Sequence, residues 1–518
     1  MPSNLDGLPN EIISSIFTQL YGEQGTLAAL CRVSRYFCSI ARPCLYRIIE
    51  QHEDAPHDIK RNPLLLRSLL RNPELGNHVV EVQLRVPDYK HEDVSCFSEE
   101  EWVLIKDLVA RLYETGLFTE ELFSKNILHT TSRRGGASGT EESCNLNVRE
   151  GQWDCILSLL LYCCPRLEKL RGVQWDAYGS IYPGFYFFSF FMRGVALSKA
   201  PGHLHAQPGS APILPNYRHA HLAHKTENLG QTIQVQSLIP FLCSSAIELV
   251  GVDPKIDGSD TERHRLWGTL QFFFKKLVVK QSLMSAATLG YLLDSCEVLE
   301  EFVLEYGIED KKYSMFGNMR MMVYDKGPLP KNKGPLPRGL LKSKKTLTRL
   351  ELARGFYTLY FQNYSHIDQR LGLLKDFEVL THLTVKLEFL IWHGNPTDSN
   401  PTLCDILPSS LEFLSIATED VMASADLRLF TDTVSRKETA LLRNMEHFEE
   451  LVLRKGSVVP KLRHLDLDGM QRETAESISL ATLKRACATY NVQLSIVLYH
   501  GYYLAPGEPA MSSKRVSF

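Results

Sequence analysis

A short apolar pattern, L-x-x-L-x-L with conservative replacements, returns along most of the chain. Its last two apolar positions alternate with other residues, as in a half-buried strand, and its first apolar position lies in the turn before that strand. A weaker copy begins at Leu167 and Leu170 and breaks at Gly172. Each copy predicts one short strand. The full copies are Val79–Val82–Leu84, Phe274–Leu277–Val279, Leu299–Phe302–Leu304, Leu347–Leu350–Leu352, Leu380–Leu383–Val385, Leu411–Leu414–Ile416 and Leu462–Leu465–Leu467.

Stretches whose apolar residues have helical spacing precede several of these copies. The predicted helices lie within Ile156–Cys164, Leu289–Val298, Leu371–Phe377 and Lys437–Lys455. One helix and one strand per unit, each unit stacked on the next, is the architecture of a leucine-rich-repeat solenoid with repeats of roughly 20–29 residues. The Phe274 and Leu299 copies fit that spacing, and the later gaps are longer. The sequence therefore predicts irregular repeats that carry loop insertions. The alternative is chance repetition in a leucine-rich chain.

The first fifty residues have a different, compact pattern. Thr26 and Ser34 are candidate N-caps of a second and a third short helix, and we expect Pro43 to interrupt the third. The small core of such a unit is marginal for independent folding, so an exposed apolar face would favour a partner. The first helix is predicted from Pro9 onward by an apolar stripe made of Ile12, Ile13, Ile16, Phe17 and Leu20.

These N-terminal residues resemble an F-box in order and spacing. The matching positions are Leu8-Pro9-x-Glu11-Ile12, Ile16-Phe17, Leu20, Leu27, Leu30, Val33-Ser34-Arg35, Phe37, Ile40 and Pro43-x-Leu45-Tyr46-Arg47-x-Ile49. F-box proteins bind the Skp adaptor of the Skp–cullin–F-box (SCF) ubiquitin ligases, and their C-terminal region holds the substrate. The alternative is that the same residues pack only within the helical unit or on the downstream region. The resemblance implies an adaptor-binding surface made of Leu8, Pro9, Ile12, Ile16, Phe17, Leu20, Leu30, Val33 and Leu45.

The remainder of the chain resembles the irregular leucine-rich regions of fungal F-box proteins, which implies that it binds a protein substrate. In a solenoid, the residues that flank the buried strand positions line the concave face. Here these residues are mixed in charge, which favours a protein partner over nucleic acid. The candidate substrate-binding residues are Lys276, Lys280, Glu301, Glu305, Arg349, Glu351, His382, Lys386, Phe413, His464 and Asp466.

The polar, glycine-rich and proline-rich segments suggest how the chain is divided. We predict an F-box at residues 1–50, a connector at 51–78, a repeat region at 79–504 and a disordered tail at 505–518. The repeat region would carry insertions at about 132–145, 201–228 and 311–345.

Four other motifs have alternative interpretations. Residues 181–192 are strongly aromatic and are either a buried element or an exposed anchor for a partner. The basic segment 311–345 is a solvated insertion or a contact for acidic groups. Residues 514–518, KRVSF, resemble the docking peptide of proteins that bind type-one protein phosphatase, or match it by chance. A solvated loop is favoured over a metal site for the HxH…HxHxxH residues His203, His205, His219, His221 and His224.

Charge and cysteine usage restrict the class of protein. The 57 Lys and Arg against 60 Asp and Glu leave a formal net charge of −3, which excludes a chain-wide basic footprint for nucleic acid. No apolar run approaches the ~18–20 residues that span a bilayer, and no secretory signal is evident. The cysteines are scattered without CxxC pairs, as expected of reduced thiols. We expect a cytoplasmic and/or nuclear protein without a nucleic-acid or membrane partner.

The sequence carries no recognisable catalytic motif. Walker A, G-x-S-x-G and H-E-x-x-H patterns are absent from it. We therefore expect no enzyme activity, no catalytic residue, no cofactor and no bound metal. The prediction is an α/β chain in which a short all-helical F-box is followed by an irregular leucine-rich-repeat-like solenoid with loop insertions. Its function would be that of a substrate receptor in an SCF-type ligase. The alternatives are an adaptor-bound scaffold without a role in ubiquitin transfer and, least favoured, a hidden hydrolase or transferase.

Overall fold

The structure is a computed structural model. The chain divides into two compact units, Met1–Lys255 and Ile256–Phe518. The described residues are 8–50, 61–85, 93–115, 141–173, 186–199, 212–223, 233–234, 241–242, 244–250, 254–255, 272, 274–282, 292–296, 298–306, 335–354, 374–387, 390, 402–417, 445–471, 480–499 and 513–517.

The first unit begins with three short helices, α1 (Asn10–Thr18), α2 (Gln24–Val33) and α3 (Arg35–Arg47). Ser34 caps α3 as predicted, because its hydroxyl accepts the N–H of Phe37 at 3.1 Å. The core between the helices consists of Ile13, Phe17, Leu27, Phe37, Ala41 and Cys44.

Two details of the predicted helices are wrong. The second helix begins at Gln24 and makes no side-chain cap hydrogen bond, so Thr26 is not its cap. Pro43 lies inside α3 and does not end it. A proline removes one main-chain hydrogen bond, and here the adjacent buried residues Ala41 and Cys44 hold the helix against the core through its last turn.

Further helices of the first unit lie between its strands. They are α4 (Arg61–Arg71), the 3₁₀ turn Pro73–His78, α5 (Glu99–Glu114), α6 (Glu141–Arg149), α7 (Trp153–Tyr162) and α8 (Tyr186–Lys199). Helix α5 begins with a complete capping box between Ser98 and Glu101.

The strands of the first unit pair in parallel in chain order. They are β1 (Ile48–Glu50), β2 (Glu81–Arg85), β3 (Lys169–Val173), β4 (His219–Ala223) and β6 (Ala246–Val250). A separate parallel pair is formed by β5 (Ile233–Gln234) and β7 (Pro254–Lys255).

The second unit repeats this arrangement. Its parallel strands are β8 (Lys276–Ser282), β9 (Glu301–Tyr306), β10 (Arg349–Arg354), β11 (His382–Lys386), β12 (Phe413–Ala417), β13 (His464–Gln471) and β14 (Gln493–Tyr499). The last described strand, β15 (Ser513–Ser517), pairs with β14 in the antiparallel direction.

Helical segments connect the strands of the second unit. They are a turn of helix at 292–294, α9 (Pro335–Lys342), the 3₁₀ turn Leu374–Asp376, α10 (Leu403–Ile406), a helix over 445–453, α11 (Lys455–Val458) and α12 (Ala481–Thr489).

The L-x-x-L-x-L pattern identifies strands correctly. Every full copy falls on a described strand, and all three apolar positions of each copy are buried. The weaker copy is β3, which continues through Gly172. Three of the parallel strands that the pattern missed carry a small or polar residue, or a shifted first position, at the same places: Tyr217–Ala220–Leu222 in β4, Ser244–Ile247–Leu249 in β6 and Val492–Leu494–Ile496 in β14.

Equivalent positions of successive strands stack in register. In the first unit Val82, Leu170, Ala220 and Ile247 pair in one line. In the second unit the corresponding line is Leu277, Phe302, Leu350, Leu383, Leu414, Leu465 and Leu494.

A main-chain hydrogen-bond pattern also recurs at the start of the strands. The carbonyl of Glu300 accepts the N–H groups of both Thr348 and Arg349, and the carbonyl of Thr348 accepts those of Thr381 and His382. In the second unit, the same pair of bonds thus joins the start of each of these strands to the start of the next. This is the organisation of a repeated structural element.

Several segments that the sequence assigned to connectors or insertions are ordered elements. Helix α4 and the turn after it lie in the predicted connector 51–78, and β4 lies in the predicted insertion 201–228. Helix α6 begins within 132–145. Helix α9 overlaps the predicted insertion 311–345. Its prolines do not prevent a helix, because they lie in the first turn, where main-chain N–H groups make no hydrogen bond within the helix.

The C-terminal tail and the aromatic segment also have defined places. Strand β15 lies within the predicted tail 505–518, so this part of the tail pairs with the sheet. The described part of the aromatic segment begins α8, where Phe188 and Phe191 are fully buried, and this confirms the buried-element interpretation. None of the helices that the structure describes has the length and hydropathy needed to cross a bilayer.

Candidate protein-interaction surfaces

Helix α1 has two apolar faces, and they have different roles. Ile13 and Phe17, one turn apart, are 1% and 5% exposed and lie in the three-helix core. Ile12 and Ile16, also one turn apart, are 49% and 44% exposed. Burial of the first pair orients the second pair toward solvent. We call Leu8, Ile12 and Ile16 the outer face of α1, since Leu8 is also exposed.

The remaining candidates for adaptor binding differ in exposure. Pro9 is exposed at the start of α1, and Val33, at the end of α2, is 65% exposed. Leu20, Leu30 and Leu45 are half-buried against the core and leave part of their surface accessible.

Phe17 was placed on the partner surface by the sequence and is a core residue in the structure. Its ring lies 6.0 Å from that of Phe37, centroid to centroid, and it is shielded from solvent. The stripe pattern failed here because residues 12, 13, 16 and 17 are all apolar, so spacing alone did not separate the two faces.

Polar contacts fix α1 and the end of α3. The Tyr36 hydroxyl of α3 donates to the Asn10 side-chain oxygen at the start of α1, at 2.6 Å. The guanidinium of Arg47 lies over the Tyr21 ring, 5.3 Å from its centroid. These contacts hold the outer face of α1 in a fixed orientation on the other two helices.

The comparisons with known proteins bear on this same segment. Residues 5–52 match the F-box-like family model. The F-box-like domain therefore includes all three helices and the outer face of α1. F-box domains generally bind the Skp adaptor. Among the curated proteins, none matches the chain.

The second candidate surface is on the strands of the second unit. The residues that alternate with the buried leucines pair across the sheet and form two rows. The first row is Lys276, Glu301, Arg349, His382, Phe413, His464 and Gln493. The second row is Val278, Val303, Glu351, Thr384, Ser415, Asp466 and Ser495.

The structure brings several of the predicted substrate-binding residues into contact. Lys276 Nζ lies 2.5 Å from Glu301 Oε2, and Arg349 Nε donates to Glu351 Oε1 at 2.7 Å. These are ion pairs on exposed strands, so each contributes about 0–1 kcal/mol to stability. The first pair joins two neighbours of the first row, and the second pair joins Arg349 of the first row to Glu351 of the second, so opposite charges alternate at this end of the surface.

The centre of the first row is aromatic. The Phe413 ring lies between two imidazoles, 5.8 Å from His382 and 6.1 Å from His464, centroid to centroid. Phe413 is half-buried and both histidines are exposed. Aromatic side chains such as phenylalanine are enriched in the contact regions of protein partners.

The other predicted members of this surface are placed less favourably. Asp466 is buried between Ser415 and Ser495, so little of it is available to a partner. Lys280 and Glu305 are half-buried on β8 and β9. Lys386 lies on β11, and its side chain is outside the described residues.

The first unit has a polar row that the sequence did not reveal. Glu81 contacts Arg171 Nε at 2.5 Å and Lys169 Nζ at 3.7 Å across β2 and β3. His221 Nδ1 lies 3.0 Å from Glu248 Oε2 across β4 and β6. The alternation H-A-H-L-A was the signal that could have identified β4.

The histidine-rich motif is divided by the structure. His219 and His221 belong to β4, and His203, His205 and His224 lie outside the described residues. Within the part of the chain that the structure describes, no three metal-ligating side chains come together.

One buried carboxyl has a strongly perturbed acidity. Burial raises the pKa of Asp154 in α7 to about 6, against main-chain N–H donors that favour the carboxylate. Its oxygens accept the N–H groups of Cys155 at 3.0 Å and Phe187 at 2.9 Å. Because its two oxygens accept these main-chain N–H groups, the carboxyl joins the starts of α7 and α8.

Proposed function

We propose that this chain is a non-catalytic substrate-recognition subunit of an SCF-type ubiquitin ligase. The F-box-like domain would bind the Skp adaptor, and through it a cullin. The strand rows that follow would hold a protein substrate. The observation that carries the proposal is the outer face of α1, exposed in a domain that matches the F-box-like model.

The outer face has the properties of an interface. Large apolar side chains exposed on neighbouring turns are unfavourable in water, and their burial contributes about 25 cal/mol per Å². For isoleucines that are about half exposed, covering Ile12 and Ile16 contributes on the order of 1 kcal/mol each. Exposed Val33 offers a similar gain.

The repeat region supports the second half of the proposal. Equivalent leucines stack in register, and one helical segment accompanies most strands, which favours a leucine-rich-repeat-like solenoid of the kind seen in fungal F-box proteins. The first row then presents Phe413 between two imidazoles, with ion pairs beyond them. A mixed row of this kind suits a protein surface or peptide.

The mechanism we propose requires no catalytic group in this chain. Adaptor and substrate would bind to separate surfaces, and the assembly would raise the effective concentration of substrate lysines near the charged E2 enzyme. A cytoplasmic and/or nuclear location is part of this proposal.

Co-purification tests the adaptor step. The wild-type chain, a Leu8→Ala/Pro9→Ala variant and a Ser14→Ala control are co-expressed with the Skp adaptor. Ser14 is exposed on α1 about half a turn away from the outer face. We expect stoichiometric recovery with wild type and Ser14→Ala and little with the double variant. Failure of folded wild-type protein to recover the adaptor would end the ligase proposal.

The alternative is a scaffold that binds the adaptor without a role in ubiquitin transfer. It shares the outer face of α1, so adaptor recovery does not separate the two. Proteome-wide half-lives, compared between cells with wild type and with Leu8→Ala/Pro9→Ala, do separate them. A receptor predicts proteins whose half-life lengthens in the variant and on cullin inhibition; unchanged half-lives favour the scaffold.

A further inference from the structure

Strand β15 is held on one side only. It is the last strand of the sheet and pairs with β14 in the antiparallel direction, with Ser517 opposite Ser495 and Ser513 opposite Tyr499. A short edge strand with a single partner leaves a sheet at a lower free-energy cost than a strand that is paired on both sides. The chain can therefore release β15 without opening the rest of the sheet.

The sequence of β15 has a charge pattern that many protein kinases select. Lys514 and Arg515 come three and two residues before Ser517, and the apolar Phe518 follows it. Kinases of this class choose their substrates by the cations that precede the acceptor hydroxyl, and they bind the segment in an extended conformation. The same order of two cations, one other residue and a hydroxyl residue occurs elsewhere at 454–457 and, outside the described residues, at 311–314 and 436–439.

The copy at 454–457 provides an internal contrast. Ser457 lies in the short helix α11, and its hydroxyl donates to the carbonyl oxygen of Arg454 at 3.0 Å. The Arg454 guanidinium donates to Glu450 Oε1 at 3.0 Å, and Lys455 Nζ donates to the Tyr490 carbonyl at 2.8 Å. Both cations and the hydroxyl are thus engaged within the chain, on helical backbone. The backbone of β15, in contrast, is already extended.

We propose that Ser517 is a phosphorylation site for a protein kinase that selects cations before the acceptor, and that its phosphorylation releases β15 from β14. The Ser517 hydroxyl oxygen attacks the γ-phosphorus of ATP, the bond between that phosphorus and the β–γ bridging oxygen breaks, and ADP leaves. The hydroxyl proton passes to the catalytic aspartate of the kinase. The reaction takes place when β15 has left the edge, because a strand that is paired with β14 cannot lie in the kinase groove.

The register of the strands explains why a phosphate on Ser517 opposes the pairing. Ser517 is opposite Ser495 of β14, and Ser495 is opposite Asp466 of β13. Neighbouring strands lie about 4.8 Å apart, so the main chain of Ser517 is about 10 Å from that of Asp466. A phosphate carries about −1.5 to −2 charges at pH 7. Because Asp466 is only 8% exposed, solvent screens its repulsion with the phosphate less than it would between two exposed groups.

The test of the site uses the full-length chain, ATP and the catalytic subunit of cyclic-AMP-dependent protein kinase. The phosphorylated residues are mapped by chymotryptic digestion and mass spectrometry. We expect stoichiometric phosphate on Ser517, little on Ser457, and none on the peptide that contains β15 in Ser517→Ala. Arg515→Gln should slow the reaction at Ser517 several-fold, and Lys461→Gln, at an exposed position outside β15, should not. Absence of phosphate from Ser517, or equal rates at Ser457 and Ser517, would overturn the inference.

The release of β15 has a readout of its own. Hydrogen–deuterium exchange is compared for β14 between the phosphorylated and the untreated chain, with kinase-treated Ser517→Ala as the control. We expect exchange in β14 to become several-fold faster in the phosphorylated chain, because the amides that pair with β15 become accessible. Unchanged exchange in β14 of a fully phosphorylated chain would contradict the release.

Pairing with β14 should also slow the kinase. A synthetic peptide of residues 510–518 has no sheet edge to pair with, so we expect it to be phosphorylated several-fold faster than the same residues in the full-length chain at equal concentration. Equal rates would contradict the requirement that β15 leaves the edge. None of these readouts depends on adaptor or substrate binding, so they stand apart from the proposed function.

Discussion

The substitution Asp154→Asn replaces a buried carboxyl group, which titrates, with an amide group of nearly the same shape, which does not. Burial raises the pKa of Asp154 from 3.8 to about 6. A carboxyl whose folded-state pKa is raised contributes stability that is fully present below about pH 4 and is lost as pH rises through about 6. The difference between 3.8 and about 6 corresponds to about 3 kcal/mol. The asparagine side chain does not titrate, so this pH dependence should vanish in the variant.

The quantity to compare is the difference in local opening free energy between wild type and Asp154→Asn. We expect the stability of wild type relative to the variant to increase by about 2–2.5 kcal/mol from pH 7 to pH 4, and to approach about 3 kcal/mol only below pH 4. The main-chain N–H of Thr402 lowers the pKa of Asp405, so this carboxyl contributes stability with the opposite pH dependence. Asp405 is present in both proteins, and its contribution therefore cancels in the difference between them.

Hydrogen–deuterium exchange on peptides from α7 and α8 is the appropriate assay, because the chain has two compact units and exchange reports each region separately. The Phe187 amide, which donates directly to Asp154, is the most informative site. The raised pKa of this carboxyl would be refuted if the difference in opening free energy between wild type and Asp154→Asn did not change with pH. It would also be refuted if wild type gained stability relative to the variant toward neutral pH.

Four further substitutions test the packing and one helix cap. Leu414→Ala, in the stacked line of the second unit, should lower the free energy of unfolding by about 2–5 kcal/mol and lower the thermal midpoint. Phe413→Ala, on the opposite side of β12, should lower it far less. Equal losses of stability would contradict the faces assigned to these two residues. Ser34→Ala removes the cap of α3 and should cost about 1 kcal/mol, measured by exchange in α3. Gly76→Ala would drive a Cβ into the Cys163 carbonyl oxygen, so we expect it to destabilise the first unit strongly in thermal unfolding; a neutral result would contradict this close approach.

The strands were predictable where burial demands large apolar residues. Leu350, Leu383 and Leu414 each occupy the middle of a copy and stack on each other, so the period-two pattern is written directly in the sequence. Strand β4 was missed because Ala220 fills the same position with a small side chain. Strand β6 was missed because Ser244 stands at its turn and uses its hydroxyl to bond the carbonyls of Phe241 and Ala246.

The adaptor surface was predictable only in part. Helical spacing identified α1, and the resemblance supplied its role. The exposed pair and the buried pair of apolar residues on α1 are offset by a single residue, which is about 100° of rotation around the helix. Only the positions of α2 and α3 decide that Ile13 faces inward and Ile12 outward. The polar contacts across strands, such as His221 with Glu248, join residues distant in the chain, and a single sequence carries no signal for them.

The most direct test of the account is the affinity of the full-length chain for the Skp adaptor, measured by titration calorimetry with Ile12→Ala/Ile16→Ala beside Ser14→Ala. Both isoleucines are about half exposed, so folding should be unaffected. At about 1–1.5 kcal/mol for each truncated side chain, we expect Kd to rise about 30- to 150-fold in the double variant. Ser14→Ala should bind like wild type. A folded double variant that binds the adaptor as tightly as wild type would contradict the central claim that the outer face of α1 is the adaptor surface.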